Sequence, residues 1–285
     1  MNIRGRKQGY TIVEVIVVLA VTSALVGSAF YFMSGRSRRL SFENDITAFQ
    51  TKLDDVINNV SSGYYARTSD FACAVSSGNP VITSGISTGR GTNPDCQFLG
   101  RAIHTNTSWG YYWVHNIIGL RKVNGTGALI STYAESKARL LSLSTANNGG
   151  VEAAEMNNFY NTTLGKTRYV NTDGTIGTDD RGFLAFLSSL PSIAANGNAN
   201  PGAQSVGLYI VNYATLPSII NLQRSKDEAV DAFVNGRSDS LLQIKTFQFC
   251  FDSKGSAQRG IVSVGEQDSD TKTTRSIEAG RCSAW

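Results

Sequence analysis

Glu14 is the only charged residue between Tyr10 and Met33, in a stretch that is apolar from Ile12 onward. A charged side chain at the centre of a bilayer costs about 2.5–3.5 kcal/mol on insertion scales, and less near an interface. A carboxylate kept in such a place therefore needs a partner. Immediately upstream stand Arg4, Arg6 and Lys7, followed by Gly9, a small residue at the junction between basic and apolar chain. Two kinds of chemistry are laid out here: a cut at the glycine that releases a basic leader, and ion pairing by the buried acid.

The basic leader, Gly9, the aromatic Tyr10, Glu14 and the apolar run fall within one short window. Together they resemble the class III signal of type IV pilins and pseudopilins. The resemblance implies that a prepilin peptidase cuts after Gly9 and methylates the new amine on Tyr10, where the family usually has Phe. An α-amine has a pKa of about 8 and is still largely cationic near neutral pH. Glu14 would lie about 6 Å from it along a helix. Opposite charges in an apolar medium stabilise one another, whereas either alone is costly. The resemblance implies that the amine of an incoming subunit meets the Glu14 of a neighbour and sets the stagger of a fibre. Two other readings of the segment are a plain signal anchor and a secretory peptide removed whole. The second usually has a shorter apolar region, with its cleavage site after it.

The elements that must position these groups begin with a spine. Tyr10–Met33 is long enough to cross about 30 Å of hydrocarbon. Basic residues flank it on both sides, with Arg36, Arg38 and Arg39 beyond it, so orientation by charge alone is a tie. The peptidase of the resembling family works on the cytoplasmic side, which implies an inner-membrane, single-pass chain with its bulk outside. Beyond the span, Phe42, Ile46, Phe49, Leu53, Val56 and Val60 recur at steps of four and three, an amphipathic seam. This predicts one helix from Tyr10 to about Ser61, roughly 75–80 Å long. Its second half would pack on a globular head; a short coiled-coil dimer is the competing use of the same seam.

The head, residues 62–285, reads as β-rich with long loops. Alternating apolar runs predict strands at 110–119, 206–213, 241–251 and 260–264. Turn-rich composition predicts loops at 75–95, 145–158 and 194–204. Shorter helices are expected at 130–142 and 225–234. The fold class is α+β: a long N-terminal helix on an antiparallel sheet. Four segments follow: leader 1–9, spanning half of the spine 10–33, amphipathic half 34–61, and head 62–285.

The closing segment, Phe247–Ala257, a strand at 261–264 and Arg275–Arg281, is similar to the end of GspH/FimT-type minor pilins. Asp252–Gly255 stands for their turn and Gly280-Arg281 for their late Gly-Arg. Some pilins of that kind bind DNA through basic residues near the end, which implicates Lys254, Arg259, Arg275 and Arg281, although a second C-terminal arginine is missing. Removing three of the 26 Lys and Arg with the leader leaves 23 against 22 Asp and Glu, a near-neutral balance unsuited to strong phosphate binding. Export favours disulfides. Cys73 with Cys96 and Cys250 with Cys282 are the local pairs, although four cysteines allow three connectivities. The second pair would clip the chain end for about 3–4 kcal/mol.

Other groups with chemical capacity are few. The run from Asn171 through Asp173 to Asp179 and Asp180 places oxygens at alternate positions, as a calcium loop would, without the EF-hand glutamate. Trp109, Tyr111, Tyr112 and Trp113 offer faces for a sugar or a base, or else the two sides of a strand. His104 and His115 sit in no metalloprotease motif, and no phosphate loop is present. The reading is a structural subunit of a type IV pilus-like or secretion-type filament, with no catalytic residue and no cofactor. Its partners are prepilin peptidase, other pilin subunits, the assembly machinery and, before assembly, the lipid membrane. The contrasting reading is an anchored receptor for DNA, or an adhesin, that never polymerises.

Overall fold

The computed structural model describes residues 11–62, 71–84, 96–106, 110–122, 128–133, 135–140, 154–160, 162–178, 183–190, 205–211, 241–254, 257–267 and 270–284. Helix α1 runs unbroken over Ile12–Ser61, 50 residues or about 75 Å. No proline falls inside it, and Thr11 caps it in an extended conformation (φ −76°, ψ 150°). It stops at Ser62, whose amide donates to the Asn58 carbonyl at 2.9 Å.

Thirteen strands follow among the described residues: β1 (Phe71–Ser76), β2 (Asn79–Ser84), β3 (Cys96–Asn106), β4 (Tyr111–Leu120), β5 (Arg139–Leu140), β6 (Ala154–Asn158), β7 (Thr162–Asn171), β8 (Ile176–Thr178), β9 (Phe183–Ser188), β10 (Val206–Val211), β11 (Leu241–Ser253), β12 (Gln258–Gln267) and β13 (Asp270–Ala279). A hairpin of β1 and β2 stands apart from a sheet ordered β13-β12-β11-β10-β9-β3-β4-β5. In that sheet β6 adds to β4, β7 to β11 and β8 to β7. Every paired register is antiparallel.

The helix seam explains how spine and sheet hold together. Phe42, Ile46, Phe49, Leu53, Val56 and Val60 are all fully buried, each contributing about 1.5–3 kcal/mol of apolar transfer. Phe49 sits in an aromatic cage, 5.0 Å from Phe249, 5.0 Å from Phe251, 5.1 Å from Tyr112 and 5.5 Å from Phe159. Gly260 on β12 allows the close approach at the near end: a Cβ there would lie 2.8 Å from Ile46 Cγ1. Polar ties flank the seam. The Thr162 hydroxyl donates to Asp45, the Thr273 hydroxyl to Asp54, and Lys52 to both oxygens of Glu155 at 2.9 Å. Arg101, buried beneath them, approaches the same Glu155 carboxylate at 3.9 Å.

The centre of the sheet is covered on both faces. Along β9, Leu184 and Phe186 join the helix-side cluster. Phe183, Ala185 and Leu187 join a second cluster with Leu99, Ala102, Ile117, Ala138 and Leu140. A strand buried on both sides shows no alternation in its sequence, which is why this segment carries no clear strand signal.

The expected strands at 241–251 and 260–264 lie within β11 and β12, β4 covers all of the one expected at 110–119 except Gly110, and β10 covers the described part of the one expected at 206–213. The helix expected at 130–142 does not form. Its described residues make turns, a left-handed Lys137 (φ 49°) and the short β5. Ser131 turns its amide and hydroxyl onto Glu135 instead of continuing a helical ladder. The loop expected over 75–95 contains strand β2, joined to β1 through Ser77 and Gly78, both at positive φ (51° and 74°), as a two-residue hairpin requires. The loop expected over 145–158 ends in strand β6. The helix expected at 225–234 and the loop at 194–204 lie outside the described residues.

Candidate assembly segment

The N-terminal half of α1 is unlike the rest of the molecule. From Ile12 to Phe30 its mean hydropathy is 2.3, and none of it is covered by the chain itself. Ile12, Val13, Leu19, Leu25 and Phe30 are all at least 60% exposed. An apolar surface of this extent marks a membrane or a protein interface. Thr22 returns its hydroxyl to the Val18 carbonyl (2.8 Å) and Ser28 its own to Leu25 (2.8 Å), so both polar groups are satisfied within the helix.

Glu14 stands in the first turn, where a carboxylate is favoured by the exposed amides and the helix dipole. Its backbone amide donates to the Thr11 hydroxyl at 3.3 Å. Thr11-Ile-Val-Glu14 is thus the Thr-x-x-Glu pattern of a capping box. The side chain opens onto a shallow groove with Val15, Val18 and Leu19. The acid is therefore presented outward from an apolar rod. Gly9 and Tyr10 lie outside the described residues.

The remaining candidates are dispersed. Cys73 bonds to Cys96 and Cys250 to Cys282, with Cα separations of 5.7 and 5.8 Å. The second bridge is reinforced by the Cys282 amide donating to Asp252 and Arg281 donating to the Ser253 carbonyl. Among the cations, Arg259 is forked onto Glu278 (2.7 and 3.1 Å), lowering that carboxyl's pKa mainly through the hydrogen bond. Arg275 donates to the Thr47 hydroxyl of α1, on the helix side of the sheet. The register places Arg259 opposite Glu278 and Arg275 opposite Val262, so the two arginines point to opposite faces. Lys254 is exposed at the end of β11. Arg259 and Arg275 therefore share no face of the sheet, whereas Arg281, bonded to the Ser253 carbonyl, stands beside Lys254.

Asp173 closes the β7–β8 turn. Its carboxylate accepts the Thr175 amide at 2.8 Å and hydroxyl at 2.7 Å, and the amide hydrogen bond is the leading cause that lowers its pKa. Asn171 donates to Thr175 in the same turn. Asp179 and Asp180 lie outside the described residues, and no metal-binding cluster occurs among the described ones. Of the aromatic run, Tyr112 is in the helix-side core, where burial, with Glu155 adding, raises its phenol pKa. Trp113 is buried on the other side, stacked 5.4 Å from His104. Trp109 lies outside the described residues. His104 and His115, whose rings are 6.3 Å apart, are both buried in the sheet. The Lys52–Glu155–Arg101 cluster had no sequence signal, because it joins three distant segments.

Residues 4–30 match the family model described as the prokaryotic N-terminal methylation motif. No curated protein and no solved structure matches the chain. The matched span takes in the basic leader, Glu14 and nearly all of the exposed apolar half of α1. Residues 4–30 are the class III signal peptide of type IV pilins, and the chain carries the N-terminus of a type IV pilin-like precursor.

Proposed function

We propose that this chain is a structural subunit, a pilin or a minor pilin or pseudopilin, of a type IV pilus-like filament. Prepilin peptidase removes residues 1–9 and methylates Tyr10. The helix then anchors the chain in the inner membrane with the head outside, until assembly moves it into a bundle of like helices. There Glu14 pairs with the α-amine of a neighbouring subunit. The observation that carries the reading is the wholly exposed apolar half-helix, bearing one charge, directly within the matched motif. In water such a surface would be prohibitive, so lipid or other helices must cover it. The receptor reading gains less support, because its proposed DNA contacts point to different faces and Arg259 is already held by Glu278.

Mass spectrometry of the protein from native membranes and sheared filaments tests processing: the N-terminus should be Tyr10, carrying one methyl group. Glu14→Ala tests assembly. The variant should still be cut yet be absent from the sheared fraction. An uncut Met1 start, or filament incorporation undiminished by Glu14→Ala, would overturn the proposal.

A further inference from the structure

Between the apolar span and the first core residue of the head, α1 carries Arg36, Arg38 and Arg39, all exposed. We infer that these arginines form an incomplete collar, on one half of the helix circumference, that binds the phosphates of anionic lipid headgroups on the outer face of the membrane; this rests on the spanning, head-outside reading above. With Ile12 at the inner edge of about 30 Å of hydrocarbon, the outer edge falls near residue 32 at 1.5 Å per residue. Arg36 and Arg39 then stand about 6 and 10 Å beyond it, in or bordering a headgroup layer about 5–8 Å deep. Phe42, where the buried seam begins, lies about 15 Å beyond the edge, clear of that layer.

At about 100° per residue, Arg38 and Arg39 lie roughly 200° and 300° round the axis from Arg36, so the three cations fall within one arc of about 160°. Two features favour a lipid surface over a protein partner. First, Arg36 and Arg38 have no hydrogen-bond or ion-pair partner among the described residues; only Arg39 does, with Glu43 at 2.9 Å. Second, the acids of the second half of α1 already have donors within the chain. Glu43 takes Arg39, Asp45 takes Thr162, Asp54 takes Thr273, and Asp55 takes Lys52 and Asn59. A second copy therefore has no uncommitted carboxylate on this stretch to offer the collar. Arginines on the outer side also run against the usual enrichment of cations in cytoplasmic loops. Guanidinium groups match phosphate oxygens with two parallel hydrogen bonds, which supplies a reason to keep them there.

The test is native mass spectrometry of the full-length processed protein. It is released from micelles holding equal amounts of phosphatidylglycerol and phosphatidylcholine with the same acyl chains. The wild type should retain the anionic lipid preferentially, and the preference should fall about fivefold per arginine removed. Arg36→Gln with Arg38→Gln should lower it about 25-fold, while Lys245→Gln with Lys272→Gln, exposed cations of the head, should leave it unchanged. Equal retention of both lipids by the wild type, or a preference undiminished by the double substitution, would overturn the collar. A double variant that loses filament yield with its lipid preference intact would likewise overturn it, in favour of a protein partner. Alkaline carbonate extraction separates the two layers of the argument. Protein that stays in the membrane without lipid preference removes the collar alone, whereas protein released by carbonate removes the spanning reading beneath it.

Discussion

Phe49→Ala is the sharpest probe of whether the spine is part of the head's core. The ring is fully buried and touches four other rings at centroid distances of 5.0–5.5 Å. Truncation removes apolar transfer free energy, leaves a cavity that four aromatic neighbours cannot readily collapse into, and costs about 3–5 kcal/mol. Edge-to-face ring pairs contribute about 0.5–1.5 kcal/mol beyond burial, which places the loss in the upper part of that range. For a unit of this size each kcal/mol lowers Tm by about 2–4 °C, so a fall of about 6–20 °C is expected. Thr51→Ala is the matched control. Thr51 is exposed on the same helix and bonds only the Thr47 carbonyl one turn back, so its removal should stay within about 0.5 kcal/mol. Near-ultraviolet circular dichroism of the detergent-solubilised chain reads the melting of the aromatic cage. Equal Tm values for the two variants would refute the docking of the helix into the sheet.

Gly260→Val should lower Tm through a cost of about 1–3 kcal/mol, because its Cβ would meet Ile46 and Phe42; differential scanning calorimetry checks this. Replacing Cys250 and Cys282 together by Ser should cost about 2–5 kcal/mol in urea titration and expose the Cys282–Ala284 turn to protease. Glu278 has a folded pKa below its ordinary value, chiefly through its hydrogen bond from Arg259. Its stabilising effect is complete above the unfolded value of about 4.3 and is lost as pH falls through the lower folded one. Carboxyl-resolved NMR should therefore show Glu278 titrating below the ordinary glutamate value in the wild type, and in Arg259→Gln it should return toward that value.

What could be read from the chain followed the physics of periodicity. The seam from Phe42 to Val60 repeats with the helical period, and all six residues are buried against the head. Strands with one covered face, such as β12 with Val262 and Val264 inward, announced themselves by alternation. β9 did not, because six consecutive buried residues have no polar phase to mark a face. The turn at 130–140 imitated a helix in composition, and only its contacts with the rest of the head reveal otherwise: Ser136 accepts from the Leu120 amide, and Tyr133 donates to the Ser188 carbonyl. At the site, Glu14 was legible because a charge in an apolar run is conspicuous. The opposite facing of Arg259 and Arg275 was not, since the face each occupies depends on register, and one residue of slip reverses it.

The hydroxyls of Thr22 and Ser28 are turned back onto their own helix, so neither needs to be met by an incoming surface. Ser23 apart, the proposed assembly then concentrates recognition along the exposed apolar half of α1 in one carboxylate near its start. A rod with a single-point address can roll about its axis in lipid while it searches, and it settles when that point is matched. Such an address asks little of the rest of a neighbour's helix beyond greasiness and length. On the proposed filament reading, heads of quite different shape can share one fibre under that rule.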